Sequence, residues 1–252
     1  MQRGAVTREI NHSVATIKFY HPSSNALPSD LLKKLEAEVR AISSDPQIHV
    51  IVISSRGDKV FCAGAFFDEL LEIHDRDVAI DFFKGFARLI NTMISSDKII
   101  VGCVQGKAVG GGVGIISACD YVFATQDSSI RLSEFSIGLG AFVIEPAISN
   151  KIGKASFAQL SLDATNWYDA SWCLQQKLFS EVLPNKDSML LSANTLADKL
   201  ASYNPSALSS MKKIYWEGAS EWKTLLEERA VLTADLLMSE YTKDKINKFK
   251  KK

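Results

Sequence analysis

Apolar and polar residues alternate from Val14 to Phe19 (VATIKF), which predicts a half-buried strand. The break His21-Pro22-Ser23-Ser24-Asn25 ends it. From Leu27 to Ile42, leucines and small apolar residues recur at helical spacing with Lys and Glu on the other face, and Asp45-Pro46 closes that helix. Val50 to Ser54 (VIVIS) is a β-branched run, as in a strand buried on both faces. A Gly57-Asp58 turn leads to Phe61-Cys62-Ala63-Gly64-Ala65 and a short helix through Leu71. Ile80 to Ile94 predicts a second amphipathic helix, and Ile99 to Val104 (IIVGCV) another buried strand. Then come Gly106, the triplet Gly110-Gly111-Gly112, an apolar helix to Cys119 and a third short strand from Tyr121 to Ala124. Strands alternating with helices predict an α/β fold around a parallel sheet.

From about Tyr168 the texture becomes mainly helical, and Asn204-Pro205 marks a boundary between residues 1–203 and 204–252. Beyond it, Trp222, Leu225, Leu226, Leu232, Leu236 and Leu237 form a stripe on a long helix. Such a stripe packs either on its own core or on another subunit. The tail from Lys243 to Lys252 carries six lysines and one aspartate and reads as a solvated end.

Composition narrows the function. Apolar residues make up 46% and charged residues 23% of 252, so the chain can bury a sizeable core without staples. Basic and acidic residues balance at 29 each, which gives no electrostatic case for nucleic acid. No run of about 18 apolar residues predicts a membrane span, and the first residues, MQRGAVTREINH, lack the apolar core of a secretory signal. Cys62, Cys103, Cys119 and Cys173 form no CxxC pair, so neither a zinc site nor a disulfide framework is expected, and a cytoplasmic location is.

The candidate chemistry lies in two glycine-containing turns, FCAGA at 61–65 and GKAVGGGVG at 106–114, each between a strand and a helix. Glycine lets a backbone approach a ligand closely. A turn that opens a helix aims unpaired N–H groups outward at the positive end of the helix dipole. Two such turns side by side can place two donors on one oxygen, an oxyanion hole for charge developing on a carbonyl. Either turn alone is explained as well by tight packing. Gly110, Gly112 and Gly114 also give GxGxG with Asp127 after the next strand, but the spacing of a dinucleotide-binding turn is absent.

HPSSNAL (21–27), VIVISSRGDKVFCAGAFFDEL (50–70), CVQGKAVGGGVGIISACDYVFAT (103–125) and LSEFSIGLG (132–140) resemble the successive signature blocks of the enoyl-CoA hydratase/isomerase (crotonase) superfamily. NPSALSSMKK (204–213) resembles that family's C-terminal region. The resemblance implies a spiral core of repeated ββα units over residues 1–203 and a C-terminal helical oligomerisation region over 204–252, giving homotrimers or hexamers. It implies an acyl-CoA thioester as substrate, with coenzyme A part of that substrate and no separate cofactor or metal. The N–H groups of Ala65 and Gly111 would form the oxyanion hole, and Ala63, Ala65, Phe66, Phe67, Asp68 and Gly111 would line the coenzyme A site.

The family's second catalytic glutamate is matched by Glu134, in LSEFSIG. Typical hydratases carry another glutamate two residues beyond the triple glycine, where this chain has Gly114. Hydration needs one group to activate water and one to protonate carbon, whereas double-bond isomerisation can use a single base. Glycine at 114 therefore implies open space beside the thioester, and Glu145, among Phe142, Val143 and Ile144, is the nearest second acid by sequence. An N-cap-region carboxylate before Pro146 is the competing reading of Glu145. The leading expectation is an enoyl-CoA hydratase or isomerase. The alternatives are a carboxyacyl-CoA decarboxylase and a non-catalytic acyl-CoA-binding protein. Asp120 is expected to be structural, and His12, His21, His49 and His74 to lie at the surface.

Overall fold

The computed structural model describes residues 4–250, and of Phe249 and Lys250 the backbone only. A six-stranded sheet runs in the order β1 (Ala5–Asn11), β2 (Val14–Tyr20), β3 (Val50–Ser55), β5 (Ile99–Val104), β7 (Tyr121–Thr125) and β10 (Glu181–Leu183). β1 is antiparallel to β2, and every other pairing in this sheet is parallel. β1 was not legible in the hydrophobic pattern because, as an edge strand, it is exposed along most of its length.

A second sheet holds β4 (Val60–Cys62), β6 (Lys107–Val109), β8 (Ser129–Arg131) and β9 (Tyr168–Asp169) in that order. The chain visits the two sheets alternately and then makes helix: β3–β4 lead to α2 (Phe67–Glu72) and α3 (Arg76–Ser95), and β5–β6 to α4 (Gly111–Ser117). β7–β8 lead to a 3-10 turn at Glu134–Ile137 and α5 (Glu145–Leu162). These are the repeated ββα units that the resemblance implied.

The unbroken apolar runs have a direct cause. Val50 and Val52 of β3, with Val101 and Cys103 of β5, pack on Met189, Ala193 and Ala197 of α7 (Lys186–Ala201). Ile51, Ile53 and Ile100 point to the opposite face, into the core shared with α1 (Ser29–Ser43) and α3. With both faces covered, the strand has no polar side to show.

α6 (Ala170–Gln175) precedes β10, and three helices close the chain: α8 (Pro205–Tyr215), α9 (Trp222–Met238) and α10 (Glu240–Lys250). They share the core of the rest of the molecule, to which Leu226, Ala230, Ala234, Leu237 and Ile246 belong. The stripe on α9 is used within the chain. Leu226 and Leu237 are buried, Trp222 and Leu236 pack against the core, and only Leu232 of the six is exposed. α8 is fastened by Lys212, whose ammonium meets the Asp120 carboxylate at 2.9 Å. Asp120 also accepts the Ile100 N–H at 2.7 Å and the Trp216 indole N–H at 2.7 Å, the structural role expected of it. His21 departs from expectation: it is buried, and its ring meets that of Phe66 edge-on at 4.8 Å.

Candidate active site

The second sheet builds the site. β4 pairs with β6 through Cys62↔Ala108, and β6 with β8 through Val109↔Arg131. The strands are parallel neighbours, so the residues that follow each one emerge side by side. Those residues are Ala63-Gly64-Ala65, the glycine triplet, and Leu132-Ser133-Glu134. Gly64 takes φ +82°, and a Cβ there would stand 2.7 Å from the Val109 carbonyl oxygen and 3.4 Å from the Gly111 nitrogen, so the first two turns are in backbone contact. Leu27 N–H donates to the Gly64 carbonyl at 2.8 Å and Gly110 N–H to the Arg131 carbonyl at 3.0 Å, which pins the row. No protein acceptor takes the N–H of Ala65 or of Gly111 among the described residues.

Beside this row lies a cavity. Ala63, Ala65, Gly110 and Gly111 line its backbone side, with Ser133 and Glu134 next to them. Phe67 and Leu70 of α2, Phe83 and Phe86 of α3, and Phe142 and Ile144 make it largely apolar. Thr233 of α9 lines it too, so the C-terminal helices contribute to the site.

Among the described residues, Glu134 is the only ionisable side chain in that lining. Its Oε2 is buried without a hydrogen-bond partner among the described residues, and its Oε1 lies 2.7 Å from where a Cβ on Gly110 would be. Burial pushes its pKa from 4.5 up to about 7; its own backbone N–H and the charge of Arg131 oppose the rise without cancelling it. Arg131 stacks on Trp167 instead of pairing, its guanidinium carbon 4.6 Å from the ring centre. A carboxyl poised near neutrality can both accept and release a proton.

The space beside Gly114 is filled. A Cβ there would lie 2.5 Å from Ile144 Cγ2 and 2.9 Å from Ile144 Cβ. This overturns the expectation of open room for a second acid: the carboxylate that glycine removes is replaced by a branched alkyl group. Glu145 starts α5 and is not part of the cavity lining. Its carboxylate pairs with Arg229 of α9 and accepts the Ser149 hydroxyl at 2.6 Å. Arg229 donates as well to the Phe142 carbonyl at 3.1 Å, so the pair ties the cavity-lining segment 142–144 to α9.

The structure therefore brings together Ala63, Ala65, Phe67, Gly111 and Glu134. Phe66 and Asp68 border a separate surface hollow with Pro28, Ser29 and Asp30, and Glu145 stands behind the wall. Sequence reasoning missed Ile144, Thr233 and the Phe83–Phe86 pair. The last had a signal, two aromatics three apart on one face of a predicted helix; the other two depend on contacts between distant segments.

Several proteins are similar to this chain. A short-chain-enoyl-CoA hydratase of Clostridium acetobutylicum is 29% identical over 220 residues, covering 84% of this chain and 81% of that protein. A 2,3-dehydroadipyl-CoA hydratase of Escherichia coli K12 is 30% identical over 191 residues, covering 75% and 72%. A mitochondrial Delta(3,5)-Delta(2,4)-dienoyl-CoA isomerase of Rattus norvegicus is 28% identical over 199 residues, 75% of this chain, but the match spans only 61% of that protein's length. In three dimensions, an enoyl-CoA hydratase from Bacillus halodurans superposes with a TM-score of 0.90 at 20% identity, covering 96% of this chain and 99% of the other. That likeness shows the fold. The family whose model matches is Enoyl-CoA hydratase/isomerase, over residues 9–251, and the chain belongs to that family.

Proposed function

We propose that this protein isomerises a double bond in an enoyl-CoA, moving one proton between two carbons of the acyl chain with Glu134 as the sole acid/base. The observation that carries this reading is the pairing of one buried carboxyl near neutrality with Ile144 packed over Gly114. Water addition asks for a second polar group to orient the water, and that side of the cavity is alkyl.

In this mechanism the thioester C=O accepts the N–H groups of Ala65 and Gly111, whose adjacency supports an oxyanion hole. Glu134 removes a proton from C2 of a 3-enoyl thioester, and the electron pair moves onto the thioester oxygen as a dienolate. The same carboxylic acid returns the proton to C4, and the double bond ends between C2 and C3. Coenzyme A enters as part of the substrate, and a proton transfer of this kind needs no redox partner.

The test is incubation with 3-enoyl-, 2-enoyl- and carboxyacyl-CoA in deuterated water, with products read by mass spectrometry. The expected product is a conjugated isomer with no added mass of water that keeps the substrate's own hydrogen, carried from C2 to C4 by one carboxyl. Addition of water to the 2-enoyl thioester would assign hydration, loss of CO2 decarboxylation, and tight binding without turnover a binding protein.

Assembly as a homotrimer or hexamer is part of the proposal. Its support shifts from α9 to α8, where Met211, Ile214 and Tyr215 are exposed apolar residues. Sedimentation equilibrium at micromolar concentration is expected to give three or six copies, and a monomer would refute it. A cytosolic setting fits four free, buried cysteines. Among the described residues no helix is long and apolar enough to cross a membrane.

A further inference from the structure

We infer that Thr242, on the last helix, is a positioning residue for Glu134. This rests on the reading of Glu134 as the acid/base. Glu134 opens a 3-10 turn that ends at Gly138, where the backbone is left-handed at φ +83°. Two local bonds close the turn: Leu139 N–H to the Glu134 carbonyl at 2.9 Å and Gly138 N–H to the Phe135 carbonyl at 3.2 Å. Ile137 anchors the turn in the core, while Phe135 within it is half exposed. Its far end is held from outside. The Thr242 hydroxyl, on a fully buried residue of α10, donates to the Gly138 carbonyl at 2.8 Å.

The contact is built from both sides. A Cβ on Gly138 would come within 2.7 Å of Thr242 Oγ1 and 3.1 Å of its Cα, so the glycine lets α10 seat directly on the turn. On the helix side, Ser239 fixes the backbone of the threonine: its hydroxyl donates to the Leu236 carbonyl at 2.7 Å, accepts the Thr242 N–H at 3.3 Å and lies 3.1 Å from Thr242 Oγ1. A side-chain hydroxyl therefore joins the element carrying the base to a helix remote in sequence. A base must meet its proton within a few tenths of an ångström, and displacement by about 1 Å can cost on the order of 100-fold in rate. The Thr242–Gly138 bond limits that displacement without touching the cavity, whose lining does not include Thr242.

The experiment measures Thr242→Val, which keeps the shape and removes the hydroxyl, for kcat, KM and thermal stability on the best substrate of the acyl-CoA panel. The expected result is a kcat lowered about tenfold or more with KM within about twofold. Thr242→Ser should restore kcat. In a Glu134→Gln background, Thr242→Val should cost nothing further, because the group it positions is gone. Should Thr242→Val fold poorly, Thr242→Ala removes the same hydroxyl and carries the same expectation. Unchanged kcat in the folded variant, failure of serine to rescue, or an equal loss in the Glu134→Gln background would overturn the inference. Full activity of Glu134→Gln itself would instead overturn the acid/base reading on which it rests.

Discussion

Two buried carboxylates, Asp120 after α4 and Glu134 after β8, have opposite surroundings. Asp120 has a partner for each oxygen: Ile100 N–H and Lys212 on one, the Trp216 indole on the other. Lys212 spends its remaining donors on the Met93 carbonyl at 3.0 Å and the Lys98 carbonyl at 2.8 Å. Burial pulls the Lys212 pKa down while Asp120 holds it up. Glu134 has an oxygen sealed from solvent with no partner among the described residues, and the nearby cation, Arg131, is engaged with an aromatic ring. Folding favours the first arrangement and is opposed by the second. A buried charge that is fully paired marks structure, and one left unpaired against a cavity marks chemistry.

The largest expected effect separates the two centres by what each loses. Glu134→Gln should lower kcat by roughly 10²–10⁴-fold, the range for removing a general acid–base group, while the fold stays intact. Lys212→Met should do the reverse. It strands the Asp120 carboxylate in the core and is expected to cost about 3–5 kcal/mol of stability, read by urea denaturation, with the specific activity of the folded fraction preserved. Loss of stability in the first variant or of turnover in the second would erase the distinction.

Next in size is a pH dependence with a definite sign. Glu134 holds its proton up to about pH 7 in the folded protein and releases it near 4.5 when unfolded. Between those values the folded state binds the extra proton. Its stabilising contribution is thus full below 4.5, is lost as pH rises to about 7, and is absent above. Denaturation midpoints should fall across that window in the wild type, and this component should vanish in Glu134→Gln. Catalysis that uses the carboxylate as base should run the other way, with kcat/KM rising toward a plateau above about pH 7. A wild-type stability profile that matches Glu134→Gln would show that the carboxyl ionises freely in the fold.

The same contrast explains what was legible in the sequence. β3 and β5 stood out because a strand covered on both faces must be apolar at every position, as VIVIS and IIVGCV are. β4, β6 and β8 did not, since each has three residues, too few for a period to show. Yet these short strands set the site, and their presence was readable only through the turns that follow them. Glu134 was found through its motif, but the state of its carboxyl depends on residues far along the chain. Ile144 over Gly114, Lys212 under Asp120 and Thr242 on Gly138 are all contacts between distant segments. No local pattern encodes them.

The smallest expected effect concerns Glu145, which lies between the two extremes. It is partly buried, paired with Arg229 and bonded to Ser149, and so resembles Asp120 in being satisfied, yet its neighbours Phe142 and Ile144 line the cavity. If pairing is what distinguishes structure from chemistry, Glu145→Gln should behave as a mild structural change. Glutamine still accepts from Ser149 and Arg229 but loses the charge, and a partly exposed ion pair of this kind is worth about 1 kcal/mol. Turnover should stay within about twofold, because the acid–base step uses no second carboxylate. Arg229→Met should cost more than Glu145→Gln, since it also releases the Phe142 carbonyl and so loosens the cavity wall. That loss should fall on KM before kcat. A drop in kcat for Glu145→Gln comparable to that of Glu134→Gln would mean that a satisfied carboxylate can still transfer protons here, and the rule drawn from Asp120 would not hold in this molecule.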